Sequence, residues 1–332
     1  MQISQFYPLE SKLVSSKTCR IVLTSTIFHF IKTVRFHIHT VWLFLKSDIP
    51  TFIIPSCVFG LCAAGSNTLT SSSSDLTWAK PSPVLSNIPK VLMFAVQTCL
   101  VFDVANQSSP GAEQEDAINK PWRPIPAKRI SQTDARKLLL AVIPPVLVSS
   151  FYLGVYIETC TLFVLCWMYN DLRGGDINFW IRNSHLSVAY FLYNLGSLKV
   201  AIGSGGIVET EGYAWTAMVS LVIFTTMHVQ DMKDQVGDKK RGRCTVPLVV
   251  GDGVARWSIA VPVSFWMVVC PMIWRCGLMG RATCIGSGGV VVIRLLLLRD
   301  VEADKKTYTM WALWLTVLYS IPIWPSAGIS CC

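Results

Sequence analysis

Residues 212–247 read GYAWTAMVSLVIFTTMHVQDMKDQVGDKKRGRCTVP. The opening part, 212–230, holds no Asp, Glu, Lys or Arg. It is long enough as a helix to cross a hydrocarbon core of ~30 Å. At Asp231 the character changes at once, to acidic and then to basic. Apolar runs of this kind recur along the chain, at 49–66, 86–105, 136–152, 154–170, 185–202, 212–230, 255–274, 281–298 and 306–323. Backbone polar groups in lipid must be satisfied internally, which leaves helices or a closed barrel. Barrel strands alternate in polarity, and these runs do not. The expectation is an all-α integral membrane protein, a bundle of about nine transmembrane helices. Gly154 alone separates the third run from the fourth.

Composition agrees. Of 332 residues, 52% are apolar and 15% charged, against about 25% charged in a soluble chain. The net charge of +9 could suit nucleic acid, but its distribution excludes that reading. Lys12 to Lys46, Lys120 to Lys137, Arg173 and Arg182, Lys233 to Arg256, and Arg299 to Lys306 all fall on one side if there are nine spans. The opposite loops hold Lys80, Lys90, Arg275 and Arg281. That asymmetry is the positive-inside rule and places the N-terminus in the cytosol. Residues 21–45 are apolar but interrupted by His29, Lys32, Arg35, His37 and His39. They read as an interfacial or juxtamembrane helix.

Twelve cysteines are scattered without a CxxC pair, as small packing residues would be. Cys331-Cys332 imitates a prenylation signal but falls on the non-cytosolic side. The sequon at Asn106 falls on the cytosolic side and should be unused. The GSGG pieces at 203–206 and 286–289 lack the residues of a phosphate loop and read as turns or helix contacts.

Two cytosolic segments carry more acid than anchoring requires. In 228–247, Asp231, Asp234 and Asp238 are spaced to share one face of a continuing helix. Three like charges on one stripe call for a counter-ion, and an oxygen-only donor set points to Mg2+. Lys239, Lys240, Arg241 and Arg243 follow and suit phosphate. In 103–131, Asn106, Glu113, Glu115 and Asp116 precede Lys120 and Arg123. There Pro121, Pro124 and Pro126 forbid a regular helix and fix the basic residues on an extended turn. Two such sites on one membrane face would hold a diphosphate whose apolar tail enters the bundle. Transport is disfavoured, because the middles of the spans are nearly free of charge.

These segments resemble the two signature motifs of the UbiA superfamily of intramembrane prenyltransferases. The first matches through Asn106, Asp116 and Arg123-Pro-Ile-Pro126. The second matches through Asp231, Asp234, Gly237-Asp238, Gly242 and Thr245-Val-Pro247. The resemblance implies a prenyl diphosphate substrate ionised with Mg2+ held by Asn106, Asp116, Asp231, Asp234 and Asp238. Glu113 is a substitute ligand where Ala112 replaces the usual aspartate. Lys120, Arg123, Arg173, Arg182, Lys239 and Arg243 are the diphosphate contacts expected. After the fourth span, Tyr169-Asn170-Asp171 and Arg173 stand where many aromatic prenyltransferases have Tyr-Pro and a Lys-Arg pair. Asp116, Asp231, Asp238, Tyr169, Asn170 and Asp171 are therefore the catalytic candidates.

Both departures look similar to a fungal branch that includes terpene cyclases, in which the cation is attacked by a double bond of its own chain. The resemblance thus implies a cyclase acting on farnesyl or geranylgeranyl diphosphate, or a prenyltransferase with an aromatic or other acceptor. Spans carry aromatics that could face a cation, among them Tyr190, Tyr193, Trp215, Phe224, Phe265, Trp311 and Trp314, although membrane helices are rich in aromatics anyway. The expected organisation is a cytosolic segment 1–46, a catalytic membrane domain 47–325 and a short non-cytosolic tail 326–332. The lipid bilayer is the expected partner and the endoplasmic reticulum the expected membrane, with the active site facing the cytosol.

Overall fold

The structure is a computed structural model that describes residues 16–71 and 82–324. The tail at 326–332 and Lys80 lie outside the described residues. Two compact units divide the chain, Met1–Trp42 and Leu43–Cys332. In the first, the stretch expected to be interfacial belongs to one continuous helix, α1 (Ser16–Leu45).

The second unit begins with a π-helical turn, Ile49–Ile53, leading into α2 (Ile54–Ala64). Next come α3 (Ser82–Ser86), α4 (Ile88–Gln107), α5 (Ala112–Asn119), α6 (Gln132–Tyr152) and α7 (Tyr156–Asn170). After these, α8 (Gly174–Ile177), α9 (Phe179–Ile202), α10 (Thr210–Thr226), α11 (Val229–Met232) and α12 (Gln235–Arg241) complete the region of the two motifs. The chain closes with α13 (Val246–Val250), α14 (Asp252–Ile273), α15 (Leu278–Leu297) and α16 (Val301–Tyr319). Two short strands, β1 (Thr70–Ser71) and β2 (Ile207–Val208), pair antiparallel where α2 and α9 end.

Local chemistry sets the boundaries. Ser131, Asn178 and Asp300 cap α6, α9 and α16 by accepting from backbone N–H groups three residues on, at 3.0, 2.9 and 2.9 Å. Gly154, at φ 74°, makes the tight turn between α6 and α7. Where α2 crosses α9, Gly60 is required: a Cβ there would meet the Ser197 carbonyl group at 2.6 Å.

The bundle is apolar outside, and within its largely apolar core a few polar side chains tie helix to helix. Leu140, Phe151, Ile157, Trp167, Val261, Phe265, Leu278 and Leu297 are exposed on the helices, a surface suited to lipid and not to water. Inside, Ser187 and Ser220 exchange hydrogen bonds to each other's carbonyls at 2.7 and 2.6 Å, tying α9 to α10. Trp311 donates to Thr226 at 3.0 Å, tying α16 to α10. Among the described residues, five helical stretches are long and apolar enough to cross a membrane: α4, α6, Thr210–Met232, α14 and α15. Phe28–Leu45 with Ile49–Ala64 makes a sixth if that broken pair is one span. The remaining expected spans differ for visible reasons. α7 has 15 residues, about 22 Å of helix, α9 carries Arg182 and Lys199, and α16 begins with Glu302, Asp304, Lys305 and Lys306.

Candidate active site

The acidic segment after α10 is not one continuing helix. The chain turns at Lys233–Asp234, between α11 and α12, so Asp231, Asp234 and Asp238 do not form a single stripe. Each carboxylate meets a different cation. Arg182 from α9 donates to Asp231 at 2.8 Å. Lys233 donates to Asp234, and Lys120 lies 4.0 Å from it. Arg243 reaches Asp238 at 3.5 Å. The repulsion expected from the spacing is thus relieved by a break in the helix and by basic side chains from other elements.

The two motifs are locked to each other, since α5 packs on α12. The Asn119 amide donates to the Asp234 carbonyl at 3.1 Å and accepts from the Gly237 N–H at 3.3 Å. A Cβ at Gly237 would lie 2.2 Å from that amide, so the approach needs glycine. The proline segment forms a succession of turns and no helix; it is folded back by Arg129 N–H to Pro124 O and Lys128 N–H to Ile125 O, at 2.9 Å each, and is not extended.

The expected site residues separate into several groups. Asp231, Asp238, Arg182, Arg243 and Tyr169 come together, Tyr169 through its hydrogen bond with Arg182. Asp116 and Arg123 pair with each other instead, with Arg123 Nη1 at 2.8 and 3.0 Å from the two carboxylate oxygens. Arg123 also donates to Ser47 at 3.3 Å. Asn106 donates to Asn170 at 2.9 Å. On the periphery, Glu113 pairs with Lys128, Asp171 with Arg136 and Arg173 with Asp176, while Lys239 is exposed.

A network not expected from spacing underlies the site. Glu115 accepts from Arg241 and Arg243 at 3.0 Å each, and Asp176 accepts from the same two at 3.4 and 3.2 Å. Burial opposes ionisation of Glu115, but Arg243 and Arg241 hold its carboxyl below the usual range. Asp234 is likewise opposed by burial and is held at about 2 by Lys233 and Lys120. Asp238 behaves the other way: burial first, then the neighbouring Asp231, push it up to about 7.

Beside these groups lies a cavity of about 230 Å³ whose wall includes Lys46, Lys120, Lys233 and Lys305. It shares Asp48, Gln230 and Tyr308 with a second cavity of about 80 Å³, walled by Phe52, Phe102, Tyr190 and Tyr193. A basic chamber thus lies against an aromatic one, with Asp48, Gln230 and Tyr308 in the wall common to both. Lys46, Lys233 and Lys305 were legible in the sequence only as topological charge, because they lie far apart along the chain. Of the aromatics singled out above, Trp311 and Trp314 pack in the core, and Phe265 points outward.

Among the described residues, no three His, Cys, Asp or Glu side chains gather as a ready metal cluster. Three buried carboxylate oxygens nevertheless lack a hydrogen-bond partner: Asp231 Oδ2 and both oxygens of Asp238. Unpaired hard oxygen donors of this kind fit Mg2+.

An all-helical membrane bundle with paired acidic segments at one end defines a class of intramembrane enzymes. The chain belongs to the UbiA prenyltransferase family, whose profile matches residues 76–317. It is similar to the fumagillin beta-trans-bergamotene synthase af520 of Aspergillus fumigatus, at 27% identity over 86% of this chain and 92% of the relative. It is also similar to the somaliensene A/B synthase of Streptomyces somaliensis, at 28% identity with the same coverage of each. Among solved structures, the fold matches a UbiA homolog from Archaeoglobus fulgidus bound to GPP and Mg2+. That match has a TM-score of 0.57 and 12% identity, over 85% of this chain and 99% of the other.

Proposed function

We propose that this protein is a Mg2+-dependent terpene cyclase that ionises farnesyl or geranylgeranyl diphosphate and closes the resulting carbocation onto its own double bonds. The observation that carries the reading is the lysine-lined chamber set against the aromatic one, with buried carboxylate oxygens that lack hydrogen-bond partners on the same segment. The names of the two synthases, similar over 86% of this chain, support cyclisation over transfer to an acceptor.

In this reading Lys46, Lys120, Lys233 and Lys305 bind the diphosphate and stabilise the charge that grows on it as the carbon–oxygen bond breaks. Asp231 and Asp238 supply the oxygens for Mg2+, with Asp234, Asp116 and Asn106 as the further ligands implied by the family. When bound, the ion supplies compact positive charge to the leaving diphosphate. Arg182 and Arg243 orient the two carboxylates. The prenyl chain enters between Phe52, Tyr190 and Tyr193, whose ring faces stabilise positive charge and whose packing keeps out water. The wider arrangement proposed is nine spans in the endoplasmic reticulum, with the N-terminus and active site cytosolic.

Microsomes containing the protein, given Mg2+ and either diphosphate without an acceptor, should yield a cyclic hydrocarbon by gas chromatography–mass spectrometry. Silence without an acceptor, followed by product once an aromatic one is added, would replace the cyclase with a prenyltransferase.

A further inference from the structure

Among the described residues lining the aromatic cavity, Asp48 is the one carboxylate. It also lines the lysine chamber and so stands in the wall common to the two. The backbone holds it there: its N–H donates to Leu45 O at 2.9 Å, and its carbonyl accepts from Phe52 and Ile53, both at 2.8 Å. The same turn sets Phe52 edge-on to Tyr190 and Tyr193, with ring centroids 4.8 and 4.3 Å apart.

Behind Asp48 lies Asp103 of α4, 2% exposed. It lies close enough to Asp48 for the two charges to act on each other, and it accepts from the Cys99 thiol at 3.5 Å. The site's other buried carboxylates contact arginines or lysines, as in Asp116–Arg123 and Asp231–Arg182. Asp48 accepts from the Ser47 hydroxyl at 3.3 Å, with Asp103 and the Arg123 guanidinium close enough to act on it by charge.

On the cyclase reading above, we infer that Asp48 is the general base that ends the reaction, with Asp103 as its positioning partner. The step balances. A C–H bond beside the cationic carbon breaks, and its electron pair forms the new C=C bond. The proton goes to the Asp48 carboxylate and leaves for water through the lysine chamber. A fixed base at the cavity wall does what water would do less selectively, since water entering the cavity would also add to the cation as an alcohol. The titratable groups around the pair are Arg123, Cys99, Tyr190 and Tyr308, together with Lys46, Lys120, Lys233 and Lys305 of the chamber that Asp48 also lines.

Wild-type, Asp48→Asn and Asp48→Glu chains are assayed in microsomes with farnesyl and geranylgeranyl diphosphate, and both released diphosphate and extracted product are measured. In Asp48→Asn the wild-type hydrocarbon formed per diphosphate released should fall by roughly a hundredfold, with alcohols or other alkenes in its place. Asp48→Glu should recover part of the yield. Asp103→Asn should shift the pH at which that yield is half-maximal, which loss of packing alone would not do. A wild-type yield in Asp48→Asn overturns the assignment, as does equal loss of diphosphate release in both Asp48 variants. If the wild-type chain itself forms no hydrocarbon, the cyclase reading fails first and takes this assignment with it.

Discussion

Asp238 and Asp116 differ in what removing them exposes. Asp238 has two oxygens without hydrogen-bond partners, so Asp238→Ala should abolish diphosphate release while the protein remains inserted and folded. Full activity in that variant would exclude Asp238 from the metal site. Asp116 is the partner of Arg123, which is 6% exposed. Asp116→Ala therefore strands a buried guanidinium and should cost about 3–5 kcal/mol, read as a lowered Tm in detergent. A second expectation follows from the Asp238 carboxyl, raised to about 7 by burial and Asp231. Mg2+ competes with that proton, so below pH 7 apparent Mg2+ affinity should weaken by about tenfold per pH unit. Above pH 7 it should level off. A titration showing no such break would remove Asp238 as the competing group.

At the scale of elements, the contact between α5 and α12 is the joint that places both motifs at one site. Gly237→Ala forces a methyl against the Asn119 amide. It should cost about 1–3 kcal/mol and lower activity, even though residue 237 carries no chemistry. Asn119→Ala removes the obstructing side chain, so the double variant should recover part of the stability lost in Gly237→Ala; strict additivity would show that the clash is not the cause. The network of Glu115 and Asp176 with Arg241 and Arg243 braces the same joint. The sequence offered all four residues, but their pairing joins α5, α8 and the end of α12, and no spacing rule connects segments so far apart. The break at Lys233–Asp234 was hidden for a related reason. Helical spacing of the three aspartates is visible locally, whereas Arg182 and Lys120, which approach two of them, come from distant parts of the chain.

For the whole molecule, the proposed nine-span arrangement would make the loop at 203–206 non-cytosolic and the one at 106–131 cytosolic. A glycosylation sequon engineered into 203–206 should be used in microsomes, while Asn106 should not be. The reverse pattern would invert the proposed topology. Apolar runs, sharp charge asymmetry and the motif residues made the helical membrane fold and its family legible from the chain alone, because period, length and charge are local properties. What the tertiary structure decided is which charges face one another. It turned Lys46, Lys233 and Lys305 from topological anchors into the wall of one chamber and left Asp238 without hydrogen-bond partners while closing Asp116 onto Arg123. It also set Asp48 against Asp103. Electrostatic pairing depends on distance in space, and in a bundle that distance is fixed by packing between helices that a linear sequence does not place side by side.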